Sequence, residues 1–481
     1  MIECPNCGGN LKFDISSQQM KCEYCLTTHD PYEVTKDRDA EETNDFDVTI
    51  FTCPQCGGEI LSTDTSAAEF CSFCGASTIL SSRISNEKKP AHIIPFKQTR
   101  EACKEAYLAK MKKAVFAPDE LKDKKYIDSF RGIYMPYWVY NISQQGTVHL
   151  TGKKSYRKGD YLYTDYYDLS GDIDAYYHNL SYDASSSFSD SISEQLAPYD
   201  TREQKEFTPS FLSGFYADTA DVSSSIYQED ALKIANNTSY NRIKNTNAFS
   251  GVSFSTDNSS HMDSSLQTSC GKPERVMYPV WFMSYRKGDR VAYASVNGQN
   301  GKVVVDIPID IKKYVLGTLI LAVPIFIVLN LFFTLKPTTI LGCSTLLAIL
   351  TIVIYLIEIS KIYRRDKRHD DRGYQYLQST FSSDSEKKKN VKIQLPLKDL
   401  LKYSQLSSKF KVPGFIGSLA AIAISGLIWL WFPIEDFWYY GGALAAFLGV
   451  LFTTMAIINK YNILTTRKLP QFNKRGGADN A

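Results

Sequence analysis

Eight of the eleven cysteines lie near the start of the chain, in four Cys-x-x-Cys pairs. They are Cys4, Cys7, Cys22, Cys25, Cys53, Cys56, Cys71 and Cys74. The second four repeat the first four at a constant displacement of 49 residues, which indicates an internal duplication. Four thiolates from two such pairs can surround Zn²⁺ tetrahedrally, and closed four-cysteine centres of this kind are structural. We therefore predict two structural zinc ions.

Two alternatives concern how these cysteines are used. Disulfides would require an oxidising compartment, but the N-terminus lacks the basic and then apolar segments of a signal peptide. Each metal centre could also close across the two repeats, although closure within a repeat is the simpler arrangement.

Each repeat has the pattern of a small hairpin with a metal-binding turn at each root. In the first repeat Leu11, Phe13 and Ile15 alternate, and a polar turn precedes Met20. A unit this small buries too little apolar surface to fold alone, so bound metal would supply the difference. We name residues 1–30 ribbon 1 and residues 51–85 ribbon 2.

Glycine follows the second cysteine in three of the four pairs, at Gly8, Gly57 and Gly75. Such a glycine lets backbone N–H groups turn toward the sulfurs. Leu26 occupies the corresponding place in the fourth pair, so that corner of ribbon 1 is expected to be weaker.

The N-terminal region is strongly acidic. Residues 1–80 carry fourteen acidic side chains against four basic ones, a net charge of −10, and residues 51–80 contain no Lys or Arg. A nucleic-acid-binding ribbon needs a basic surface to displace counterions, so the acidic charge disfavours nucleic acid as a ligand. The same charge would repel an anionic membrane surface. Residues 31–50 are interpreted as an acidic, mobile linker that lets the ribbons reach a protein partner.

Residues 90–310 are predicted to form an α+β domain rich in antiparallel strands, which we name the central domain. A four-residue spacing of Cys103, Tyr107, Met111 and Val115 predicts an amphipathic helix ended by Pro118. The Ser- and Asn-rich segment 180–275 is predicted to be folded, with a helix over 229–243 and loose loops around 255–265.

The hexapeptide Ser-Tyr-Arg-Lys-Gly-Asp occurs twice in the central domain. Both copies are predicted to form hairpin turns, in which Gly159 and Gly288 adopt positive φ. The two copies indicate either two related β-units or the same turn sequence used in two unrelated hairpins.

Four apolar stretches follow, each close to the length that a helix needs to cross a bilayer. They are Tyr314–Leu335, Thr338–Ile359, Phe415–Phe432 and Phe437–Ile458. We predict four transmembrane helices in two hairpins, over 314–359 and 414–459. Lys and Arg concentrate on one side of these spans, so residues 1–313, the basic loop 360–413 and the tail 460–481 are predicted to be cytosolic.

No enzyme signature is present in the sequence, and we predict that the chain is not an enzyme. A phosphate-binding loop and a His-Glu-x-x-His motif are missing. His92, His149 and His178 are expected to be structural, and a transport role for Glu358 is a weak alternative.

Several longer segments carry a family resemblance. They are the paired CPxCGG motifs, IPF at Ile94, VFAPDEL, FRGIYMPYWVY, FTPSFLSGFYAD and YPVWFMSYRKGDRVAYASVNGQNGKV. Together they resemble a bacterial family of membrane-anchored TFIIB-type zinc-ribbon-containing proteins, some of which are labelled PriA-like helicases. The helicase label finds no support, because nucleotide-binding motifs are missing. The resemblance implies a membrane platform associated with a PspA-type and flotillin-like (SPFH) envelope-stress system.

These observations favour a multi-pass protein of the bacterial cell membrane with both termini cytoplasmic. It would act as a scaffold that recruits cytosolic and membrane proteins, and it could form oligomers. A membrane-tethered nucleic-acid-binding protein is the main alternative, followed by a transporter or a ligand-sensing membrane protein.

Overall fold

The computed structural model describes most of the chain. The described residues are 2–35, 45–62, 71–74, 81–246, 251–254, 266–332, 335–366, 371–373, 375–376, 397–405 and 412–468. The predicted loops at 255–265 lie outside them, as do residues 36–44 of the predicted linker.

The strands are β1 Leu11–Asp14, β2 Gln19–Cys22, β3 Thr28–His29, β4 Asp45–Thr52, β5 Glu59–Ser62, β6 Ser81–Lys88, β7 His92–Ile93, β8 Arg131–Lys158, β9 Tyr161–Asp183, β10 Lys205–Glu206, β11 Tyr216–Ala217, β12 Ser253–Phe254, β13 Gln267–Cys270, β14 Glu274–Lys287, β15 Arg290–Asn297, β16 Val303–Val305 and β17 Arg467–Lys468. The helices are α1 Arg100–Lys113, α2 Lys124–Ile127, α3 Asp190–Leu196, α4 Ser225–Lys244, α5 Ile311–Phe332, α6 Pro337–Asp366, α7 Leu397–Ser404, α8 Ile416–Trp431 and α9 Asp436–Thr465.

The strands form two sheets of very different size. Ribbon 1 is a small antiparallel sheet of β1, β2 and β3. The large sheet has the order β10-β7-β14-β8-β11-β5-β4-β6, and β9, β12 and β13 also pair with β8. Strands β4, β5 and β6 belong to the second repeat and to the segment before it. Ribbon 2 is therefore continuous with the sheet of the central domain.

The large sheet has an apolar cluster on each face, because successive side chains of a strand point to opposite sides. Along β8, Tyr134 packs with the cluster that includes ribbon 1. Its neighbours Ile133 and Met135 pack with the cluster that includes the cysteines of ribbon 2. The two ribbons thus contribute to opposite faces of the same sheet.

Two segments differ from the sequence-based expectation. Strand β4 begins at Asp45, so residues 45–50 of the predicted linker are part of the sheet. Helix α1 ends at Lys113, well before Pro118, and Val115 is 69% exposed. Cys103, Tyr107 and Met111 are fully buried as the helical spacing predicts, but the helix ends before Val115, the last residue of that spacing.

Both predicted hairpin turns are present. Gly159 (φ +63°) joins β8 to β9, and Gly288 (φ +64°) joins β14 to β15. In neither case would an added Cβ meet any atom within 4 Å. Glycine is therefore favoured at these positions by the positive φ and not by a lack of space. The predicted helix over 229–243 is also confirmed, as part of α4.

Among the described residues, α6 and α9 are long and apolar enough to cross a membrane. Helix α8 is apolar but shorter, at 16 residues, and α5 has 22 residues with Pro324 inside. Helix α6 continues beyond the predicted end at Ile359 to Asp366, so the start of the predicted basic loop is helical.

Helices α6, α8 and α9 meet through small and hydroxylated side chains. The Ser418 hydroxyl is 2.8 Å from the hydroxyls of both Thr351 and Thr453. A Cβ added to Gly449 would lie 2.3 Å from the carbonyl oxygen of Gly417, so the two backbones touch there. Close backbone approach and buried hydroxyl pairs are typical of helices packed in a membrane.

One end of the large sheet is joined to the helix ends. Arg290, at the start of β15, donates to the carbonyl oxygens of Ile463 and Thr466 at 2.7 Å each and lies 3.4 Å from Asp366. Strand β17, which follows α9 directly, pairs with β15. The central domain and the apolar helices are therefore tied together by defined contacts.

Candidate metal centres

Ribbon 1 gathers its cysteines around one point. Strands β1 and β2 form the predicted hairpin, with Leu11 paired to Cys22. The sulfurs of Cys4 and Cys25 are 3.6 Å apart, and those of Cys7 and Cys22 are 3.5 Å apart. All four ligand atoms lie within 4.8 Å of one another.

Ribbon 2 repeats this arrangement. The sulfurs of Cys53 and Cys74 are 3.8 Å apart, and those of Cys56 and Cys71 are 3.7 Å apart. Here too the four ligand atoms lie within 4.8 Å of one another. In the described part of the chain, these are the two groups that could hold a metal ion, and each closes within its own repeat.

The sulfur spacing matches a metal centre and excludes disulfides. A tetrahedral ion with metal–sulfur bonds of about 2.3 Å sets its sulfurs about 3.8 Å apart, whereas a disulfide requires about 2.05 Å. All eight cysteines are free thiols. The residues present therefore fit a four-coordinate thiophilic ion such as zinc.

The metal-binding turns are built by backbone hydrogen bonds that repeat between the ribbons. The N–H of Gly8 donates to the carbonyl of Cys4 at 2.8 Å, and that of Gly57 donates to the carbonyl of Cys53 at 2.8 Å. Both glycines have positive φ. Leu26 has φ +61° in the matching turn of ribbon 1, a conformation that costs a residue with Cβ about 1–2 kcal/mol. Gly75 lies outside the described residues.

The second glycine of each CPxCGG motif has a different role. A Cβ on Gly9 would lie 2.5 Å from the ring of Tyr24, and a Cβ on Gly58 would lie 2.6 Å from the ring of Phe73. Each aromatic residue precedes the last cysteine of its repeat. The glycine therefore provides the space in which the ring covers the metal-binding turn.

Two polar neighbours of ribbon 1 were missed by sequence reasoning. Thr27 Oγ1 is 3.0 Å from the sulfur of Cys25, and His29 Nε2 is 3.6 Å from the sulfur of Cys4. Both lie within four residues after Cys25, which is the signal that could have identified them. Hydrogen bonds to thiolates of this kind stabilise the charged ligand form.

The pKa values of the cysteine thiols are shifted by the close approach of the four sulfurs in each group. Burial opposes ionisation of Cys4, but hydrogen bonds from Thr27, the backbone and His29 outweigh it and lower its pKa to about 5. Hydrogen bonds from Cys56, Cys71 and Cys74 lower the pKa of Cys53 strongly. Hydrogen bonds from Cys53 and the other sulfurs raise the pKa of Cys71. At least one sulfur in each group thus ionises readily, as a metal ligand must.

The two groups differ in their surroundings. In ribbon 1, Cys4 and Cys22 are buried, whereas Cys7 and Cys25 are exposed. In ribbon 2 all four cysteines are at most 2% exposed and pack with Phe73, Phe282 and Tyr293 of one apolar cluster. The Tyr293 hydroxyl also donates to the carbonyl of Phe73 at 2.8 Å.

Both ribbons are docked on the central domain, which differs from the expectation that a mobile linker lets them reach outward. In ribbon 1, the Ser213 hydroxyl donates to the carbonyl of Leu11 at 2.5 Å, and Gln18 donates to the carbonyl of Phe96 at 2.8 Å. In ribbon 2, β5 pairs with β11. The acidic composition gave no indication of these contacts, because they are formed largely by uncharged side chains and backbone groups.

The other singled-out residues lie apart from the cysteine groups. His92 is 3.5 Å from Glu274, and the ring of His178 rests on that of Tyr176, while His149 is exposed on β8. Glu358 is 2.7 Å from Lys361 on the same helix.

The fold and the site together define a sheet-rich protein with two potential four-cysteine metal centres and apolar C-terminal helices. Over 316 residues the chain is 28% identical to uncharacterized protein YdjG of Bacillus subtilis (strain 168). The alignment covers 65% of this chain and 91% of that relative. No family model and no solved structure matches the chain.

Proposed function

We propose that this chain is a non-enzymatic, multi-pass membrane scaffold that recruits protein partners. Two structural zinc ions stabilise its cytosolic part, four helices anchor it, and both termini face the cytosol. The ribbons are of the TFIIB type in this proposal, but their docked position makes them part of the scaffold's body. Recruitment is therefore assigned to another surface.

Apolar side chains on the outside of the helices support the membrane location. Leu331 is 74% exposed on α5, Leu430 is 82% exposed on α8, and Phe447 is 58% exposed on α9. Such a surface on several helices is unfavourable in water and favourable in lipid. The exposed tryptophans Trp431 and Trp438, near the turn between α8 and α9, suit the interface between lipid and water.

The observation that carries the recruitment proposal is the direction of the β8–β9 hairpin. Strand β14 pairs antiparallel with the first part of β8. The C-terminal end of β14 leads to Arg290 and so to the ends of the apolar helices. Strand β8 continues from Val139 to Lys158 in the opposite direction. At about 3.3 Å per residue this continuation measures roughly 60 Å, so the hairpin projects away from the membrane-proximal end.

The end of this hairpin, residues 153–168, which we name the arm tip, carries the surface expected of an interaction site. Tyr161, Leu162 and Tyr166 are each more than 70% exposed. Exposed aromatic residues on a projecting element are typical of protein-binding sites, because they bury a large area at low entropic cost. In the described part of the chain β9 pairs with β8 alone, so its outer edge is also open to strand addition by a partner.

A nucleic-acid partner is the second candidate, because the arm tip also combines stacked rings with basic residues. The rings of Tyr156 and Tyr163 are parallel to within 13° at 5.7 Å, and single-stranded nucleic acid binds such platforms. However, the tip carries four basic and three acidic side chains, a net charge of only +1. That charge supplies little counterion release, which favours protein.

The arm can be shortened without removing its contacts to the sheet. Lys153 pairs with Tyr166, so deleting 154–165 and joining the two by Asn-Gly leaves a two-residue hairpin turn. The control keeps the arm and replaces only its turn, by Gly159→Asn with Asp160→Gly. Partners are identified by cross-linking in membranes followed by mass spectrometry. PspA-like and SPFH-like proteins are the first classes to search for.

Loss of one or more partners in the shortened variant, with retention in the control, is the expected result. An unchanged partner list would refute recruitment by the arm. Specific retention of RNA or DNA by the control, lost in the shortened variant, would favour the second candidate.

Topology is tested separately by labelling from outside intact cells. With Cys343 replaced by Ser, a cysteine placed at Glu435, between α8 and α9, should react with a membrane-impermeant maleimide. A cysteine placed at Lys402, in the predicted cytosolic loop, should react only after lysis. The reverse pattern would contradict the proposed orientation.

A further inference from the structure

A cavity of about 660 Å³ opens beside the last residues of β9 and helices α3 and α4. Its volume is that of a site for a small organic molecule. It shares no residue with either cysteine group or with the arm tip. One of its lining residues, Arg372, follows helix α6 and so comes from the membrane half of the chain.

The wall of the cavity is acidic. Asp183 is 3% exposed and Asp190 is 9% exposed, and Asp230 and Glu194 also line the cavity. Asp190 is well satisfied, because it accepts from the Tyr227 hydroxyl at 3.0 Å and from the backbone N–H of Arg372 at 2.8 Å.

Asp183 lacks this support. Its Oδ2 atom has no hydrogen-bond partner among the described residues, and neither has the buried hydroxyl of Tyr182 beside it. Burial, followed by the nearby charges of Asp190 and Asp371, raises the pKa of Asp183 well above its usual range, so a cation in the cavity is what would hold this carboxyl in its ionised form. A buried acceptor without a donor costs about 1–3 kcal/mol, so a ligand that donates to it would bind favourably.

Aromatic rings form the rest of the lining. The rings of Tyr182 and Tyr227 stack at 5.0 Å, and Tyr137 and Tyr199 meet edge to face at 6.1 Å. All four rings line the cavity. Tyrosine faces attract cations, and they also cover aliphatic carbon chains.

We propose that this cavity binds an aliphatic polyamine, a flexible chain that carries two or more protonated amines. One ammonium group donates to Asp183 and the other positive charges meet Asp190 and Asp230, while the methylene groups lie against the tyrosine rings. Arg372 forms an ion pair with Asp230 in the present structure and so holds the place of one ammonium group.

Other cations fit the cavity less well. Within the described residues, no three carboxylates bring their oxygens as close together as the sulfurs of the cysteine groups, so no divalent-ion site is preformed. A quaternary ammonium compound has no N–H to donate to Asp183. The open acceptor, the multiple acidic groups and the volume together select a protonated polyamine.

The test is calorimetric titration of the purified full chain in detergent with spermidine. Diacetylspermidine, choline and magnesium chloride are the comparison probes. Asp183→Asn replaces the carboxyl by an amide of nearly the same shape that cannot become negative beside an ammonium group, and it should weaken spermidine binding at least about tenfold. Asp160→Asn, at the exposed arm turn, is the matched control and should bind as the parent does.

Arg372→Gln removes the internal cation and should strengthen spermidine binding several-fold, which keeps the proposal testable if Asp183→Asn does not fold. Equal spermidine affinity in the parent chain and Asp183→Asn would overturn the proposal. Binding of diacetylspermidine or magnesium as tightly as spermidine would overturn it as well. Failure of the arm experiment leaves this result unaffected, because the two sites share no residue.

Discussion

Ribbon 1 and ribbon 2 have the same cysteine spacing and nearly the same sulfur geometry, yet they occupy different environments. Tyr24, which covers the turn of ribbon 1, is 78% exposed, whereas its counterpart Phe73 in ribbon 2 is 1% exposed. Ribbon 1 keeps a sheet of its own, and ribbon 2 shares its strands with the central domain. One copy of the duplication has kept a small sheet that packs on the central domain, and the other has become part of the large sheet itself.

This difference changes what a bound metal would stabilise. In ribbon 1 a metal ion would hold three short strands and the surface that they bury. In ribbon 2 it would also hold the position of β5, which pairs with β11, and through β11 that of β8. The free energy of metal binding would therefore be coupled to the folding of the whole sheet in one case only.

The largest expected effect is the loss of one ligand from each ribbon. Cys56→Ser should prevent the central domain from folding stably, at a cost of about 5 kcal/mol or more, which equals the stability of many domains. Cys7→Ser should release zinc from ribbon 1 while the sheet stays folded. Thermal unfolding and elemental analysis of both purified variants test this contrast. Equal loss of stability in the two variants would refute it.

A smaller contrast is expected at the paired glycines Gly58 and Gly9. Gly58→Ala should cost about 2–3 kcal/mol, because the added methyl group meets Phe73, which is held against Phe282. Gly9→Ala should cost less than about 1 kcal/mol, because the exposed ring of Tyr24 can turn away. Denaturant unfolding of the two variants gives the difference, and a larger cost at Gly9 would show that ribbon 1 is the more tightly packed copy.

A pH effect near neutrality is expected at Asp218, beside the strand that pairs with ribbon 2. Asp218 follows β11, is 2% exposed, and accepts from Ser185, so burial raises its pKa to about 7 despite that hydrogen bond. Because the folded-state pKa lies above the unfolded value of 3.8, the stability that protonated Asp218 contributes is complete only below about pH 3.8. It falls as the pH rises from there and is lost once the pH has passed about 7.

The parent chain should therefore lose roughly 1.4 kcal/mol between pH 6 and pH 8, and Asp218→Asn should lose much less. Melting of the central domain, followed by tryptophan fluorescence across this range, is the measurement. Parallel pH profiles for the parent and the variant would show that Asp218 does not ionise in the folded protein.

The smallest effect is a gain of stability in ribbon 1. Leu26→Gly removes the strain of a positive φ and should stabilise ribbon 1 by about 0.5–1 kcal/mol. The rate of zinc transfer to a chelator measures this gain in stability, because ribbon 1 is the more exposed ribbon and should release its zinc first. Faster release from the variant would show that the leucine side chain contributes packing that outweighs the strain.

The cysteine spacing predicted which sulfurs group together, because the turns of each pair are set by local backbone geometry. It did not predict burial, because the surroundings of ribbon 2 come from Phe282 and Tyr293, more than 200 residues away in the chain. Likewise the sequence predicted the hairpin turns at Gly159 and Gly288, but it did not predict the length of β8. The last eight residues of β8, 151–158, are polar or basic apart from one glycine and one tyrosine and have no apolar face, so nothing in their composition marks them as the end of one continuous strand.

Arg290 binds carbonyl oxygens that exist only after α9 has been synthesised, and β17 reaches β15 later still. During translation the central domain would leave the ribosome with this end of its sheet unfinished. In the proposed membrane protein the order of events would follow from connectivity: the helices would enter the lipid first, and strand β17 would close the edge afterwards. A chain whose last helix failed to insert would expose that edge, which gives the cell's quality-control proteases a way to recognise it.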